Sequence, residues 1–195
     1  KPYRYLDNYS LTKRIVSPER GYLLLSLVES DLSPRLSTST VDGSLLQRLD
    51  FSYAELPKAN ITSEDLLDID LSHADLSQST LSGTDFKNAS FAEATLQGAK
   101  LDLANFDGAN FYLANLERTN FSKASVSNAN FRQADLRNCR FNVRRLKGAT
   151  FTNARVSKNF MEELSRQIDK TEYAWLNANY KLVEVDKDNF QLLDK

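Results

Sequence analysis

Cysteine, methionine, tryptophan and histidine each occur only once in this chain of 195 residues, and proline occurs four times. The single cysteine, Cys139, excludes an intrachain disulfide framework and leaves no CxxC pair for a metal site. No run of about 18 apolar residues is present, so the chain as given is not expected to span a membrane. The single cysteine favours a reducing compartment, so we expect a cytoplasmic location. Because the chain begins with Lys1 rather than Met, we also expect it to be a portion of a longer protein, which could be membrane-anchored.

The sequence also lacks the combinations of residues that catalysis requires. It has no HExxH, P-loop or GxGxxG motif, and its one histidine, His73, has no defined partner. We interpret His73 as a solvated surface residue and Cys139 as a small, buried core residue. The sequence therefore predicts no enzymatic activity, no metal and no cofactor.

Neither sign of charge is in excess, since the chain has 25 Lys and Arg residues and 26 Asp and Glu residues. No net field directs the chain to an anionic membrane or to nucleic acid, and direct nucleic-acid binding is not expected. The distribution is uneven, however. Residues 41–100 carry ten acids and four bases, whereas residues 101–160 carry four acids and ten bases. The chain is acidic in one half and basic in the other.

The dominant feature of the sequence is a period of five residues. Every fifth position from Leu46 to Val156 is Leu, Phe, Ile or Val, which gives 23 consecutive matches. Two residues before each of these positions, the chain has Ala 14 times and Ser, Thr or Cys five times. A period of five matches neither a helix nor a strand, so the chain must turn a corner once in each repeat. The large residues then point into the axis of a coil, and parallel hydrogen bonds join each coil to the next.

Segments such as ADLSQSTLSGTDF and ANFDGANFYLANLERTNF resemble the pentapeptide-repeat family, whose motif is loosely Ala-Asp/Asn-Leu/Phe-x-x, over about residues 46–158. The resemblance implies an all-β solenoid, a right-handed quadrilateral β-helix with four repeats, and hence 20 residues, in each coil. Interior residues 20 apart then form four ladders. One is mostly aromatic, and it comprises Phe51, Leu71, Phe91, Phe111, Phe131 and Phe151. We assign these interior positions to stability and not to function.

Helical caps are predicted at both ends, which divides the chain into residues 1–40, 41–158 and 159–195. Ser17, Pro18 and Glu19 form a helix start, and Asn159 with Glu162 resembles a capping box. We interpret the remaining C-terminal segment as an irregular cap and a candidate dimerisation element. The apolar residues expected to face the solenoid are Leu23, Leu24, Leu27 and Val28 in the first cap and Phe160, Met161, Leu164 and Ile168 in the second. In the segment that follows, Trp175, Tyr180, Val185 and Phe190 keep the five-residue phase.

Several positions depart from the repeat. The positions two residues before each large apolar residue form a column of small residues, which we call the small column. Four larger residues interrupt it, Leu49, Glu64, Ile69 and Arg144. We expect distorted coils at Glu64 and Arg144. Acidic residues also stack one coil apart, as in Asp50 and Asp70, Glu55 and Asp75, and Asp65 and Asp85. Hydrogen bonds from the backbone or from Ser and Thr must offset this repulsion, or else a cation must do so. The glycine-rich signature of calcium-binding β-rolls is missing, which favours the hydrogen bonds.

The surface predicted to bind a partner lies in the basic half. The outward-facing apolar residues are Leu67, Leu103, Tyr112, Leu113 and Val143. Tyr112 and Leu113 are adjacent and lie one coil from Arg132, which makes them the best candidate contact patch. The positive charges expected to attract an acidic partner, or a second copy of the chain, are Arg137, Arg140, Arg145, Lys147 and Arg155.

The leading functional hypothesis is a non-catalytic protein-interaction or scaffold module of a bacterial protein. The alternative is a DNA-mimicking inhibitor of a topoisomerase such as gyrase. Quinolone-resistance members of the family that this chain resembles use the same motif in a dimeric rod with an acidic surface. The basic residues between Arg132 and Lys158 argue against imitation of a long duplex. An enzymatic role would require a separate catalytic domain elsewhere in the parent protein, because nothing within these residues supports catalysis.

Overall fold

The computed structural model describes residues 3–7, 10–29, 49–187 and 189–195, and the repeats within them form a right-handed, four-sided β-helix. Parallel bridges join residues 20 apart, from Asp50 with Asp70 to Asp135 with Arg155. Each coil therefore contains four pentapeptides, as predicted. The first position of the register, Leu46, and the predicted domain start at residue 41 lie outside the described residues.

A tight turn makes each corner of the square. At a regular corner the N–H of the small residue donates to the carbonyl of the large residue three positions earlier, as from Ala114 to Phe111 at 3.0 Å. The residue just before the small one has a positive φ, 57° at Leu113, which is the arrangement of a type II turn. This conformation is unfavourable for a residue with a side chain. It is compensated by the ladder, because the Leu113 N–H donates to the Arg132 carbonyl of the next coil at 3.2 Å.

The Asp or Asn of the motif stabilises the same corner. Its Oδ1 accepts the N–H of the residue two positions later, at 2.9 Å between Asp70 and Ser72 and at 3.2 Å between Asn110 and Tyr112. Such Asx turns are the usual reason for a short acidic or amide side chain before a turn. The motif therefore combines a core residue, a small corner residue and a side chain that satisfies the turn.

Phenylalanine ladders fill the middle of the solenoid. Phe111 stacks on Phe91 and Phe131 with ring centroids 5.0 and 4.9 Å apart, and the predicted aromatic ladder is thus confirmed. It also meets Phe106 of the neighbouring ladder edge to face at 5.3 Å. Each such pair contributes about 0.5–1.5 kcal/mol beyond the burial of its apolar area.

The distorted corners predicted at Glu64 and Arg144 are confirmed, and they differ in kind. At the first, the Glu64 N–H donates to the Thr84 hydroxyl at 3.5 Å, although Ser63 keeps a positive φ of 60°. At the second, Val143 lacks the positive φ of a regular corner. At the second corner Arg144 N, in place of Arg145 N, donates to the Ala124 carbonyl at 2.9 Å. This shift by one residue turns Val143 inward, where it fills the space that a small residue occupies elsewhere. Val143 is only 3% exposed, so its prediction as an outward apolar residue is wrong.

The N-terminal cap is a helix preceded by a hairpin. The hairpin pairs β1 (Tyr3–Asp7) with β2 (Ser10–Val16) in antiparallel fashion, and no sequence pattern predicted it. The helix α1 (Pro18–Glu29) begins where the Ser-Pro-Glu signal predicts. Of the residues predicted to face the solenoid, Leu24 is fully buried, Leu23 is exposed, and the side chains of Leu27 and Val28 lie outside the described residues.

Glycine allows α1 to lie directly on the first coil. A Cβ atom on Gly21 would stand 2.2 Å from the carbonyl oxygen of Glu55. Ser17 joins the same coil as a short strand, because its N–H donates to the Tyr53 carbonyl at 2.6 Å and its carbonyl accepts the Glu55 N–H at 3.3 Å. The predicted N-terminal lid is therefore bonded to the backbone that it covers.

Two helices and a hairpin form the C-terminal cap. They are α2 (Phe160–Gln167), α3 (Lys170–Asn179), β4 (Tyr180–Asp186) and β5 (Asn189–Asp194). Of the four residues predicted on the apolar face, Phe160 and Leu164 of α2 and Ile168 at its C-cap are buried, and Met161 is partly buried against the core. The predicted capping box is wrong. Asn159 has φ −88° and ψ 4° instead of an extended conformation, and its side chain makes no cap hydrogen bond.

The hairpin extends the last coil as an antiparallel sheet. Strand β3 (Ala154–Val156) belongs to that coil, and the sheet order is β3-β5-β4. Tyr180 and Phe190 are buried, whereas Trp175 lies in α3 and Val185 is exposed, so the five-residue phase of these residues does not continue the repeat. The role of this segment in dimerisation stays a prediction.

Candidate interaction surface

The predicted contact residues are distributed over all four sides of the solenoid. We number the sides by their central coils. Side 1 contains residues 109–113 and 129–133, side 2 contains 114–118 and 134–138, side 3 contains 119–123 and 139–143, and side 4 contains 124–128 and 144–148. Tyr112, Leu113 and Arg132 lie on side 1, Arg137 and Arg155 on side 2, Arg140 on side 3, and Arg145 and Lys147 on side 4. The basic residues therefore surround the C-terminal part of the rod and do not form one patch.

Side 1 keeps the predicted patch together. Leu113 is 43% exposed, and its backbone donates to Arg132 of the next coil, so the two residues are fixed neighbours. Asn110 and Asn130 hold the turns from which Tyr112 and Arg132 project, through hydrogen bonds of 3.2 and 3.1 Å to their N–H groups. An exposed leucine, a half-buried tyrosine and an exposed arginine thus share one rigid surface.

A shallow groove of about 600 Å³ borders this patch at the corner between sides 1 and 2. Carboxamides dominate its lining, and Asp135 and Arg155 supply the charges. Gln191 comes from β5, so the position of this residue depends on the hairpin, and no pattern in the sequence indicated it. The lining residues are Leu113, Ala114, Asn115, Gln133, Asp135, Asn153, Arg155 and Gln191.

Asp135 forms ion pairs with two of the arginines that were predicted to contact a partner. Arg137 donates to it through Nε at 2.8 Å and Nη2 at 2.6 Å, and Arg155 approaches it to 3.5 Å. The hydrogen bond to Asp135 raises the pKa of the Arg137 guanidinium above its ordinary value. These two residues are therefore less available to a partner's carboxylate than sequence reasoning implied. Arg132, Arg140, Arg145 and Lys147 are exposed and form no ion pair within the part of the chain that the structure describes.

His73 is not the isolated surface residue that the sequence predicts. Its ring stacks on Tyr53 with centroids 4.5 Å apart, and its Nδ1 lies 3.3 Å from a carboxylate oxygen of Glu93. The three residues occupy equivalent positions in successive coils of side 1. This column therefore has an ordered outer surface that leads towards Leu113.

Cys139 is a core residue, as predicted. Burial raises the pKa of its thiol to about 12, and the Thr119 hydroxyl lies 3.2 Å from its sulfur. A thiol in this environment stays protonated and unreactive at neutral pH.

The stacked acids are stabilised in different ways. The backbone and hydroxyl of Ser52 donate to Asp50 and lower the pKa of its carboxyl, with a smaller contribution from Arg20. Burial raises the pKa of Asp65, and the charge of Asp85 adds to the effect. Among the described residues, no three His, Cys, Asp or Glu side chains are placed to hold a metal ion together.

Within the described residues, every helix is too short or too polar to cross a membrane. A family model described as "Pentapeptide repeats" matches residues 69–108 and 100–138, with 8 copies. No curated protein matches the chain in sequence.

Three solved structures illustrate the similarity. Rfr23, a pentapeptide repeat protein from the cyanobacterium Cyanothece 51142, is 30% identical, and the match covers 52% of this chain and 62% of Rfr23 with a TM-score of 0.33. A pentapeptide repeat protein from Nostoc PCC 7120 is 36% identical over 43% of this chain and 70% of its own, with a TM-score of 0.28. QnrB1, a plasmid-mediated fluoroquinolone resistance protein, is 19% identical over 58% of this chain and 62% of its own, with a TM-score of 0.30. The chain thus spans less than two thirds of the length of Rfr23 and QnrB1.

Proposed function

Because this chain belongs to the pentapeptide-repeat family, we propose that it is a non-catalytic module that binds another protein through side 1. The observation that carries the proposal is the exposed Leu113 held beside Arg132 on a rigid surface. Tyrosine and arginine are the residues that most often dominate binding energy at interfaces. Tyr112 and Arg132 border the leucine here.

The backbone of side 1 has little capacity to bind a partner strand. The N–H groups of Phe111 and Leu113 donate to the next coil, and those of Asn110 and Tyr112 bond to Ala89 and to the Asn110 side chain. A partner must therefore be recognised by side chains. An apolar group over Leu113 and a carboxylate at Arg132 give the chemistry that fits, so the expected partner is an acidic protein segment with an apolar anchor.

Imitation of DNA is the second candidate, and the charge distribution gives it less support. A duplex mimic needs negative charge along its whole length. On side 4 the column that begins with Asp65 and Asp85 ends in Arg145, and on side 2 the column that begins with Glu55 and Asp75 ends in Arg155. The proposal further places the module in the cytoplasm, where the single reduced Cys139 is stable.

Quantitative affinity capture tests this proposal. Wild-type protein is compared with the Leu113→Glu/Arg132→Glu double variant, and with Leu103→Glu as a matched control, because Leu103 is 55% exposed on the opposite side 3. Any captured protein is purified and titrated directly. We expect at least about a tenfold loss of affinity, or about 1.4 kcal/mol, for the double variant and none for the control. Equal binding by all three would refute a side 1 interface, and inhibition of gyrase supercoiling by the wild type would favour the DNA mimic.

A further inference from the structure

Side 4 carries opposite charges at its two ends. A continuous ladder of bridges joins Asp65 to Asp85, Asp85 to Asn105, Asn105 to Ser125 and Ser125 to Arg145. The first two positions of this column are acidic, the middle two are neutral, and the last is basic. The adjoining corner column also begins with Glu64 and ends with Arg144. The side therefore changes sign over four coils.

Glu64 and Arg144 are the two charged residues that interrupt the small column. Every other residue of that column is apolar or is Ser or Thr. Both occupy distorted corners, and Arg144 and its neighbour Arg145 are exposed there. The two interruptions thus place an acidic pair, Glu64 and Asp65, and a basic pair, Arg144 and Arg145, at equivalent positions of the same side.

The surface between the two pairs is flat. Its outward positions are mostly small or short, including Asn105, Gly108, Ser125 and Ser127. Asp107 lies at the centre, and it is bonded within its own side by the Ser125 hydroxyl at 2.6 Å and the Ser127 N–H at 2.9 Å. The one long side chain between the two pairs is that of the exposed Lys87, beside Asp85, and the other outward positions leave room for a second flat surface.

We propose that side 4 is a self-complementary interface through which two copies of the chain associate as antiparallel rods. A two-fold axis that runs along the strand of Asn105 brings Glu64 and Asp65 of each copy to Arg144 and Arg145 of the other. The same axis brings the two Asp107 carboxylates near each other, and each of them accepts hydrogen bonds from Ser125 and Ser127 of its own chain. The parallel arrangement instead places acid against acid and base against base, and charge repulsion disfavours it. Burial and the neighbouring charge of Asp85 raise the pKa of the Asp65 carboxyl, so a positive charge brought beside it by a second copy would stabilise its ionised form.

The size of the surface predicts a weak dimer. At about 4.8 Å for each coil, the acidic and basic pairs are about 19 Å apart along the rod. A strip of this length on one side of the square is smaller than the roughly 800 Å² that each partner of a stable complex buries. Attraction between opposite charges therefore contributes most of the free energy of dimerisation. The dimer must weaken as added salt screens these charges. This interface is separate from side 1 and does not depend on the partner proposed for that side.

Sedimentation equilibrium of charge-reversed variants tests the proposal. We expect the wild type to dimerise at about 50 mM salt and to lose at least about tenfold in association constant at about 500 mM. The acid-reversed variant Glu64→Arg/Asp65→Arg and the base-reversed variant Arg144→Glu/Arg145→Glu should each be monomeric. Their equimolar mixture should form a heterodimer, because both contacts of the antiparallel pair are then again between opposite charges. Glu64 and Arg144 occupy equivalent positions of the repeat, and circular dichroism checks that the reversed variants keep the fold.

A second pair of variants controls for net charge. Glu93→Arg/Asp102→Arg and Lys123→Glu/Arg140→Glu change the charge by the same amounts on sides 1 and 3. If their mixture associates as strongly as the side 4 mixture, the attraction is non-specific and the proposal is wrong. It is equally wrong if the wild type is monomeric at low salt, or if either side 4 variant alone still dimerises through another surface such as the edge of β4. The side 1 variants do not alter these results, so each proposal fails separately.

Discussion

Replacement of Glu172 by alanine should open the C-terminal end of the solenoid. In the interior coils, an N–H such as that of Val126 donates to the carbonyl of the next coil. Leu146 has no next coil, and Lys147 follows Arg145 where other coils have an Asp or Asn that accepts this N–H, as Asp85 does for Lys87. Both N–H groups donate instead to one carboxylate oxygen of Glu172 at 2.8 Å. A side chain of α3 thus takes the place of a missing strand. Tyr180 does the same for Phe151, whose N–H donates to the tyrosine hydroxyl at 3.2 Å.

The magnitude follows from these two bonds. Hydrogen bonds to a charged group contribute about 1.5–3 kcal/mol each when buried. Glu172 is only half-buried, and water can reach part of the site after truncation, so we expect a loss of about 2 kcal/mol for Glu172→Ala. Glu172→Gln keeps an acceptor oxygen without the charge and should lose about 1 kcal/mol. The loss should be local, because stability in a repeat protein is a sum of nearest-neighbour terms.

Native-state amide hydrogen exchange is the decisive assay. A loss of about 2 kcal/mol accelerates exchange of the Leu146 and Lys147 amides by roughly 30-fold, while amides of the central coils, such as that of Phe111, keep their protection. Glu163→Ala, which removes another carboxylate from the same cap, is the control. If exchange at Leu146 and Lys147 is the same in Glu172→Ala as in this control, the carboxylate does not replace the missing coil.

Three further changes test the caps, the core and the acidic side. Gly21→Ala should destabilise the N-terminal cap by about 1–3 kcal/mol, because the added methyl group meets the Glu55 carbonyl. In thermal melts, Gly21→Ala should lower the melting temperature more than the control variant Ser26→Ala on the same helix. Phe111→Ala should cost about 3–5 kcal/mol in urea unfolding. Phe51→Ala at the end of the ladder should cost less, and equal losses would contradict the stacking account. Asp65→Asn should raise the melting temperature at neutral pH, since the raised pKa of Asp65 means that its charge destabilises the folded chain. This gain should disappear as the pH falls through the folded pKa of Asp65 towards its ordinary value of 3.8, where the native carboxyl is also neutral.

The two proposed surfaces use the solenoid in different ways. Side 1 presents an apolar anchor beside a positive charge, whereas side 4 presents two opposite charges separated by a flat strip. Both depend on the rigidity of the coil, because the bridged backbone keeps residues of neighbouring coils at fixed separations. A flexible chain with the same composition would have to order these groups on binding and would lose affinity in doing so.

The sequence by itself determined the coil, its core and the places where the coil is interrupted. A repeat of five residues places each side chain inside or outside without reference to distant parts of the chain, since every coil contacts only its neighbours. For the same reason Glu64 and Arg144 were identifiable as distorted corners before any coordinates. The start of α1 was also readable, because its Ser-Pro-Glu signal is local, whereas α2 begins at Phe160 without the capping box predicted there.

The tertiary structure alone decided how the ends close and which charges are compensated. The pairing of β5 with β3, and the contact of Glu172 with Leu146, join segments that share no period, so no local rule predicts them. Asp135 pairs with Arg137, two residues away, and with Arg155, one coil away. The spacing makes these residues neighbours, but only the folded structure shows that both arginine side chains turn towards Asp135. Val143 turned inward because the backbone shifted by one residue to keep its hydrogen bonds around Arg144. Periodic contacts are encoded repeatedly along this chain, whereas each contact of the caps occurs once and depends on the folded shape of its neighbours.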